Sequence, residues 1–137
     1  RQWSDGGTVN CLLTTGGTGL GPRDNTPEAT RSVIQREVPG LVDVMRQAGL
    51  LQTPMAALSR GVPGVRGCTL NINLPGSEKA VRESLAAILP VLEHAVDLIE
   101  GDTENAGYWF RRSGRPVRST DETDDLWQEI ATQLLDG

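Results

Sequence analysis

The chain has 137 residues, of which 37% are hydrophobic, enough for one domain with a single core and too many for wholesale disorder. Its net charge of −5 is uneven: residues 1–101 carry nine Lys and Arg against ten Asp and Glu, and residues 102–137 carry four against eight. That balance offers no basic face for a nucleic acid, and no run of about 18 apolar residues or signal peptide marks a membrane or secreted protein, so the expectation is a soluble, cytoplasmic protein.

Aromatic residues are scarce, so the core must come from Leu, Val, Ile and Ala. Residues 9–15, VNCLLTT, form a short apolar run stopped by Gly16, which reads as a strand buried on both faces. A glycine-rich loop follows, with Gly16, Gly17, Gly19 and Gly21. Thr26 can cap a helix that has Pro27 in its first turn, and Val33, Ile34 and Val38 then supply an apolar face. Pro39-Gly40 interrupts the pattern before a second short helix at residues 41–50, and residues 53–58 repeat the Thr-Pro start.

Residues 59–67, SRGVPGVRG, read as a loop or an irregular strand edge. In residues 68–75 Leu70, Ile72 and Leu74 alternate with Asn71 and Asn73, as in a strand. Ser77 can cap the helix that follows, where Val81, Leu85, Ile88, Leu92, Ala95, Val96 and Ile99 recur at spacings of three and four. Pro90 is expected to kink or split that helix. Residues 104–120 have no periodicity, and residues 121–137 read as a terminal helix with acids at its N-terminal end. Two strands that each run into a glycine turn and a capped helix give an α/β expectation, with ligands at the carboxyl ends of the strands.

The glycine loop has two readings. Unshielded N–H groups before a helix can cradle an anion, with Thr15 and Thr18 adding hydroxyls; the same residues also make a tight turn that holds nothing. The spacing is neither a Walker A motif nor a dinucleotide fingerprint. Asp24 is the one carboxylate in the loop. It is either a Mg²⁺ ligand beside a bound phosphate or a turn aspartate bonded to nearby N–H groups. Arg60 or Arg66 can clamp a phosphate. Ser59 has no base to activate it, because the single histidine, His94, lies in the long helix near its apolar face. The NLPGS segment, with Gly76, is either a second loop able to approach a nucleotide ring or phosphate or an ordinary glycine turn with a serine cap. Cys11 and Cys68 read as two buried thiols rather than a metal site.

Three segments in order, LTTGGTGLGPRDNTPEAT, TPMAALSRGVPGVRG and TLNINLPGSEKAV, resemble the molybdopterin-binding family of molybdenum cofactor biosynthesis. The likeness is to its molybdopterin adenylyltransferase branch, which includes bacterial MogA and the G domains of gephyrin. The resemblance covers about residues 9–100 and implies a three-layer α/β/α fold with a Rossmann-like mixed sheet. It implies adenylylation of molybdopterin by ATP with Mg²⁺, a homotrimer, and a molybdate-inserting MoeA-type enzyme as partner. By position, Thr15, Gly16, Gly17, Thr18 and Gly19 would hold phosphate, and Asn73, Pro75, Gly76 and Ser77 would line the nucleotide side. Ser59 and Arg60 would face molybdopterin, and Asp24 would be catalytic and hold the metal. The family's N-terminal strand and helix have no counterpart before residue 9, so the resemblance implies a fragment. Residues 1–101 are then the C-terminal two thirds of the family domain and residues 102–137 an acidic extension with a terminal helix. A second reading makes the chain a non-catalytic molybdopterin-binding or trimeric scaffold domain, with Trp109, Trp127 and the acidic helix as its binding elements.

Overall fold

The computed structural model describes residues 1–100. A short helix α1 (Gln2–Asp5) leads to β1 (Cys11–Thr15), α2 (Thr26–Arg31), β2 (Arg36–Glu37) and α3 (Pro39–Leu50). A 3-10 turn (Pro54–Leu58), β3 (Gly64–Arg66), β4 (Thr69–Leu74) and α4 (Glu78–Glu100) complete the described chain. The strands form one mixed sheet in the order β1-β4-β3-β2. β1 runs parallel to β4, pairing Cys11 with Leu70 through to Thr15 with Leu74. β3 is antiparallel to both β4 and β2. The α/β expectation with a mixed sheet therefore stands, and the strands that the sequence hid lie in residues 36–37 and 64–66.

The alternation of β4 organises the core. Leu70, Ile72 and Leu74 are fully buried on one face and pack with Leu41, Met45, Leu85 and Ile88 into the apolar centre. On the opposite face Asn73 is buried and reaches α2. Its Nδ2 donates to the hydroxyls of Thr14 (2.9 Å) and Thr30 (2.8 Å), and its Oδ1 accepts from the Val62 N–H at 3.0 Å. One amide thus ties β1, α2 and the β3 approach to the central strand.

Six expectations change. β1 is half-buried rather than covered on both faces, because it is the end strand of the sheet. α2 stops at Arg31, and Val33, Ile34 and Val38 are not on a helix. The Ser32 hydroxyl there donates to the Ala29 carbonyl at 2.8 Å, a local bond that competes with helix continuation, and the chain turns into β2. Asn25, not Thr26, occupies the N-cap of α2. Cys68 is exposed, because it sits with Gly67 in the tight β3–β4 hairpin, while Cys11 is half-buried and burial pushes its thiol up to about 11. α4 runs through Pro90 without a split. Pro90 and Ala86, whose carbonyl has no N–H partner at residue 90, both lie on the exposed face of the helix. His94 is likewise exposed.

Two caps read from sequence are present. The Thr53 hydroxyl accepts from the Met55 N–H at the 3-10 turn, and the Ser77 hydroxyl accepts from the Ala80 N–H at the start of α4. The acidic extension, Trp109, Trp127 and the expected terminal helix lie outside the described residues.

Candidate functional site at the ends of the parallel strands

Because β1 and β4 are parallel neighbours in register, their carboxyl ends emerge side by side. The Gly16 N–H donates to the Leu74 carbonyl at 3.1 Å, holding the two exits together. Gly16 (φ +81°) and Gly17 (φ +66°) both take left-handed backbone, which side-chain-bearing residues rarely adopt. A Cβ on Gly17 would also strike the Thr26 hydroxyl, and one on Gly76 would lie 3.4 Å from the Cα of Gly16. The two glycine loops therefore abut, and glycine is what lets them.

The loop leaves donors free. Among the described residues, the N–H groups of Gly17, Thr18 and Gly19 donate to no protein acceptor, nor do those of Gly76 and Ser77. Beside them lies a cavity of about 310 Å³. Thr18, Gly19, Ser59, Asn73, Pro75 and Ser77 are among the residues that line it. α3 supplies Val42, Met45, Arg46 and Gly49, at positions i, i+3, i+4 and i+7, so one helical stripe forms a wall. α4 supplies Ala80, Glu83 and Ser84 by the same rule, and Met55 and Leu58 of the 3-10 turn also line the cavity.

Of the expected site residues, six line the cavity; Thr15 ends β1, and Gly16, Gly17 and Gly76 lie in the abutting glycine loops. Asp24 and Arg60 do not line it. The Asp24 carboxylate is half-buried and accepts from the Gly21 N–H at 2.8 Å, a turn-aspartate geometry. The Arg60 guanidinium donates through Nε to the Gly19 carbonyl (2.7 Å) and through Nη2 to the Asp24 carbonyl (2.7 Å), while Nη1 pairs with Glu28. That pairing holds the Glu28 carboxyl below its ordinary value. Arg66 is also engaged, bidentate to Asp5 at 2.8 and 2.9 Å and bonded to the Val33 carbonyl. Neither arginine singled out in the sequence presents a free fork to a phosphate.

The charged residues that do line the cavity are Arg46 and Glu83, and sequence reasoning passed over both. The Arg46 guanidinium has only long bonds, to Asp43 (3.3 Å) and the Ser59 carbonyl (3.4 Å). The signal was its position one turn after Val42 and next to the buried Met45. Among the described residues no three His, Cys, Asp or Glu side chains gather as a metal cage. Mg²⁺ needs no such cage, since it binds through one or two carboxylates together with substrate phosphates and water. Asp24 therefore fits that ion only as one carboxylate beside a phosphate-bearing ligand.

The family described as "Probable molybdopterin binding domain" matches residues 3–94. The molybdenum cofactor synthesis protein cinnamon of Drosophila melanogaster is 51% identical over 102 residues, covering 74% of this chain and 17% of that protein. The molybdopterin adenylyltransferase of Helicobacter pylori strain J99 is 48% identical over 91 residues, covering 66% of this chain and 52% of that one. The chain thus spans about half, or much less, of the curated relatives it matches. Among solved structures, the molybdopterin biosynthesis enzyme MoaB from Thermus thermophilus superposes with a TM-score of 0.69 at 63% identity, covering 74% of this chain and 64% of that chain. The Mog protein from Mycobacterium ulcerans gives 0.68 at 47% identity, covering 72% and 64%.

Proposed function

The chain belongs to the molybdopterin-binding domain family, and from that premise we propose that its cavity binds molybdopterin and ATP and transfers the adenylyl group between them in molybdenum cofactor biosynthesis. The observation that carries this reading is the run of free N–H groups at Gly17, Thr18 and Gly19, at the carboxyl end of a parallel strand pair and beside the cavity. Unpaired backbone donors in a glycine turn suit phosphate oxygens. The names of the relatives supply the substrate: several are molybdopterin adenylyltransferases.

In the proposed reaction a terminal phosphate oxygen of molybdopterin attacks the α-phosphorus of ATP. A new P–O bond forms, the bond to the β-phosphate bridging oxygen breaks, and pyrophosphate leaves. No covalent nucleophile is required; the work is positioning and charge neutralisation. Gly17, Thr18 and Gly19 hold phosphate through backbone N–H groups, with Gly16 shaping the turn that presents them, and Thr18 adds a hydroxyl. Gly76 and Ser77 hold the nucleotide side at the start of α4, with Asn73 and Pro75 shaping it. Ser59, at the cavity wall, faces molybdopterin, and Arg46 adds positive charge. Mg²⁺, held by Asp24 and the phosphates, would neutralise charge on the transferring group. Residues 1–101 are the proposed domain, assembled as a cytoplasmic homotrimer that hands its product to a molybdate-inserting MoeA-type enzyme. Among the described residues no helix is long and apolar enough to cross a membrane.

The experiment is to supply the chain with ATP, Mg²⁺ and molybdopterin and to measure pyrophosphate. Release that depends on molybdopterin is expected. Molybdopterin binding without release would replace the transferase reading with the non-catalytic one, and no binding would remove both.

A further inference from the structure

We infer that Arg60 is a positioning residue that staples the glycine loop shut and sets the place of Asp24, and that it does not itself contact substrate. Its guanidinium reaches two points of one loop. Nε holds the carbonyl of Gly19 and Nη2 holds the carbonyl of Asp24, each at 2.7 Å. The backbone N–H of Arg60 holds a third point, the Thr18 carbonyl, at 2.9 Å. The remaining fork nitrogen, Nη1, pairs with Glu28 in the first turn of α2. One residue therefore joins the approach to β3, both ends of the 19–24 loop and the helix after it.

Guanidinium is suited to this task. Its donors stand in a fixed planar fork, so two carbonyls bound at once fix their separation and orientation. Lysine carries the same charge as a point on a flexible stem and cannot set two acceptors in one plane. The loop needs such a device. Its own internal bonds are few: Gly21 N–H to the Asp24 carboxylate, Asp24 N–H to the Gly21 carbonyl, and Asn25 N–H to the Arg23 carbonyl. With the Asp24 carbonyl held by Arg60 and the Asp24 carboxylate held by Gly21, both the backbone and the side chain of that residue are fixed. Arg66 shows that bonding of an arginine here does not by itself imply this role, since its fork goes to a carboxylate on α1, away from the cavity-lining residues.

The stapling of the loop needs no substrate; its kinetic consequence rests on the proposed adenylyl transfer. The test compares Arg60→Lys and Arg60→Met with the wild-type chain. Amide hydrogen exchange, without ligand, is expected to rise about ten- to hundredfold at Gly21, Asp24 and Asn25 in both variants, the weight of a charge-assisted hydrogen bond in a local opening. Exchange at Ile72 in the central strand is expected to stay unchanged. With ATP and molybdopterin, kcat is expected to fall while both KM values stay within about threefold. Unchanged loop exchange would overturn the inference, and so would exchange that rises at Ile72 as well, which marks a general strut. A raised molybdopterin KM in Arg60→Met that Arg60→Lys restores would also overturn it, because that is the signature of a direct phosphate contact. If the wild-type chain proves inactive, the proposed function fails and the exchange measurement still decides the role of Arg60.

Discussion

Arg60 and Arg66 lie six residues apart, and both have their guanidinium groups engaged, yet they serve different ends of the molecule. Arg60 is bonded mainly to backbone carbonyls of the glycine loop, beside a cavity with unpaired N–H donors. Arg66 is bonded to the Asp5 carboxylate and the Val33 carbonyl, and ties α1 and the turn after α2 to β3. The two arginines look alike in sequence. What separates them is where the acceptors lie: Arg60 holds two carbonyls of the glycine loop beside the cavity, whereas the acceptors of Arg66, Asp5 and Val33, are not among the cavity-lining residues.

The largest expected effect is at the first of these corners. In Asp24→Asn the amide oxygen can still accept from the Gly21 N–H, so the turn survives and only the charge is removed. Turnover is expected to fall about 10²–10³-fold, the weight of a lost electrostatic contact in a transition state, with an unchanged melting temperature. Unchanged turnover would take the Asp24 charge out of the mechanism. Next comes the scaffold under the site. Asn73→Ala leaves the buried Val62 N–H without its acceptor and two threonine hydroxyls without their donor. Denaturant unfolding is expected to show a loss of about 1–3 kcal/mol, the cost of an unsatisfied buried polar group.

The smallest effect is at the second corner. Arg66→Met is expected to lower the melting temperature slightly and to leave molybdopterin affinity unchanged, because exposed ion pairs contribute little. Its pH dependence has a definite sign. The hydrogen bond from Arg66 holds the Asp5 carboxyl below the ordinary aspartate value. A depressed carboxyl stabilises the fold above its unfolded pKa and loses that contribution as pH falls through the folded one. Thermal melts of wild type and Arg66→Met are therefore expected to differ more at neutral pH than in acid, where only the bond to the Val33 carbonyl remains to be lost. A difference that does not shrink below the aspartate range would break the contrast drawn between the two arginines.

Much of this geometry was readable in the sequence, for physical reasons that differ by element. The Leu70, Ile72, Leu74 alternation shows β4 because a strand with one apolar face has a period of two. Thr53 and Ser77 announce their helix starts because orphan N–H groups require an acceptor. β2 and β3 are too short to show a period and depend on β4 for their pairing. Val33 and Ile34 suggested a helix because apolar spacing alone carries no information about the competing Ser32 bond. Within the site, the glycine loops were legible since their backbone needs are local. The fate of Arg60 and the placement of Arg46 were not, because each depends on residues far along the chain that only folding brings within reach.

Everything proposed for the site depends on the paired glycine loops at the carboxyl ends of β1 and β4 holding phosphate. The most direct test is to follow backbone amide shifts by NMR while titrating molybdopterin and then ATP with Mg²⁺. The largest changes are expected at Gly16 to Gly19, Gly76 and Ser77, with Asp5 and Arg66 undisturbed. Binding that shifts the Asp5 and Arg66 region instead, and leaves the glycine loops unmoved, would contradict phosphate binding at these loops.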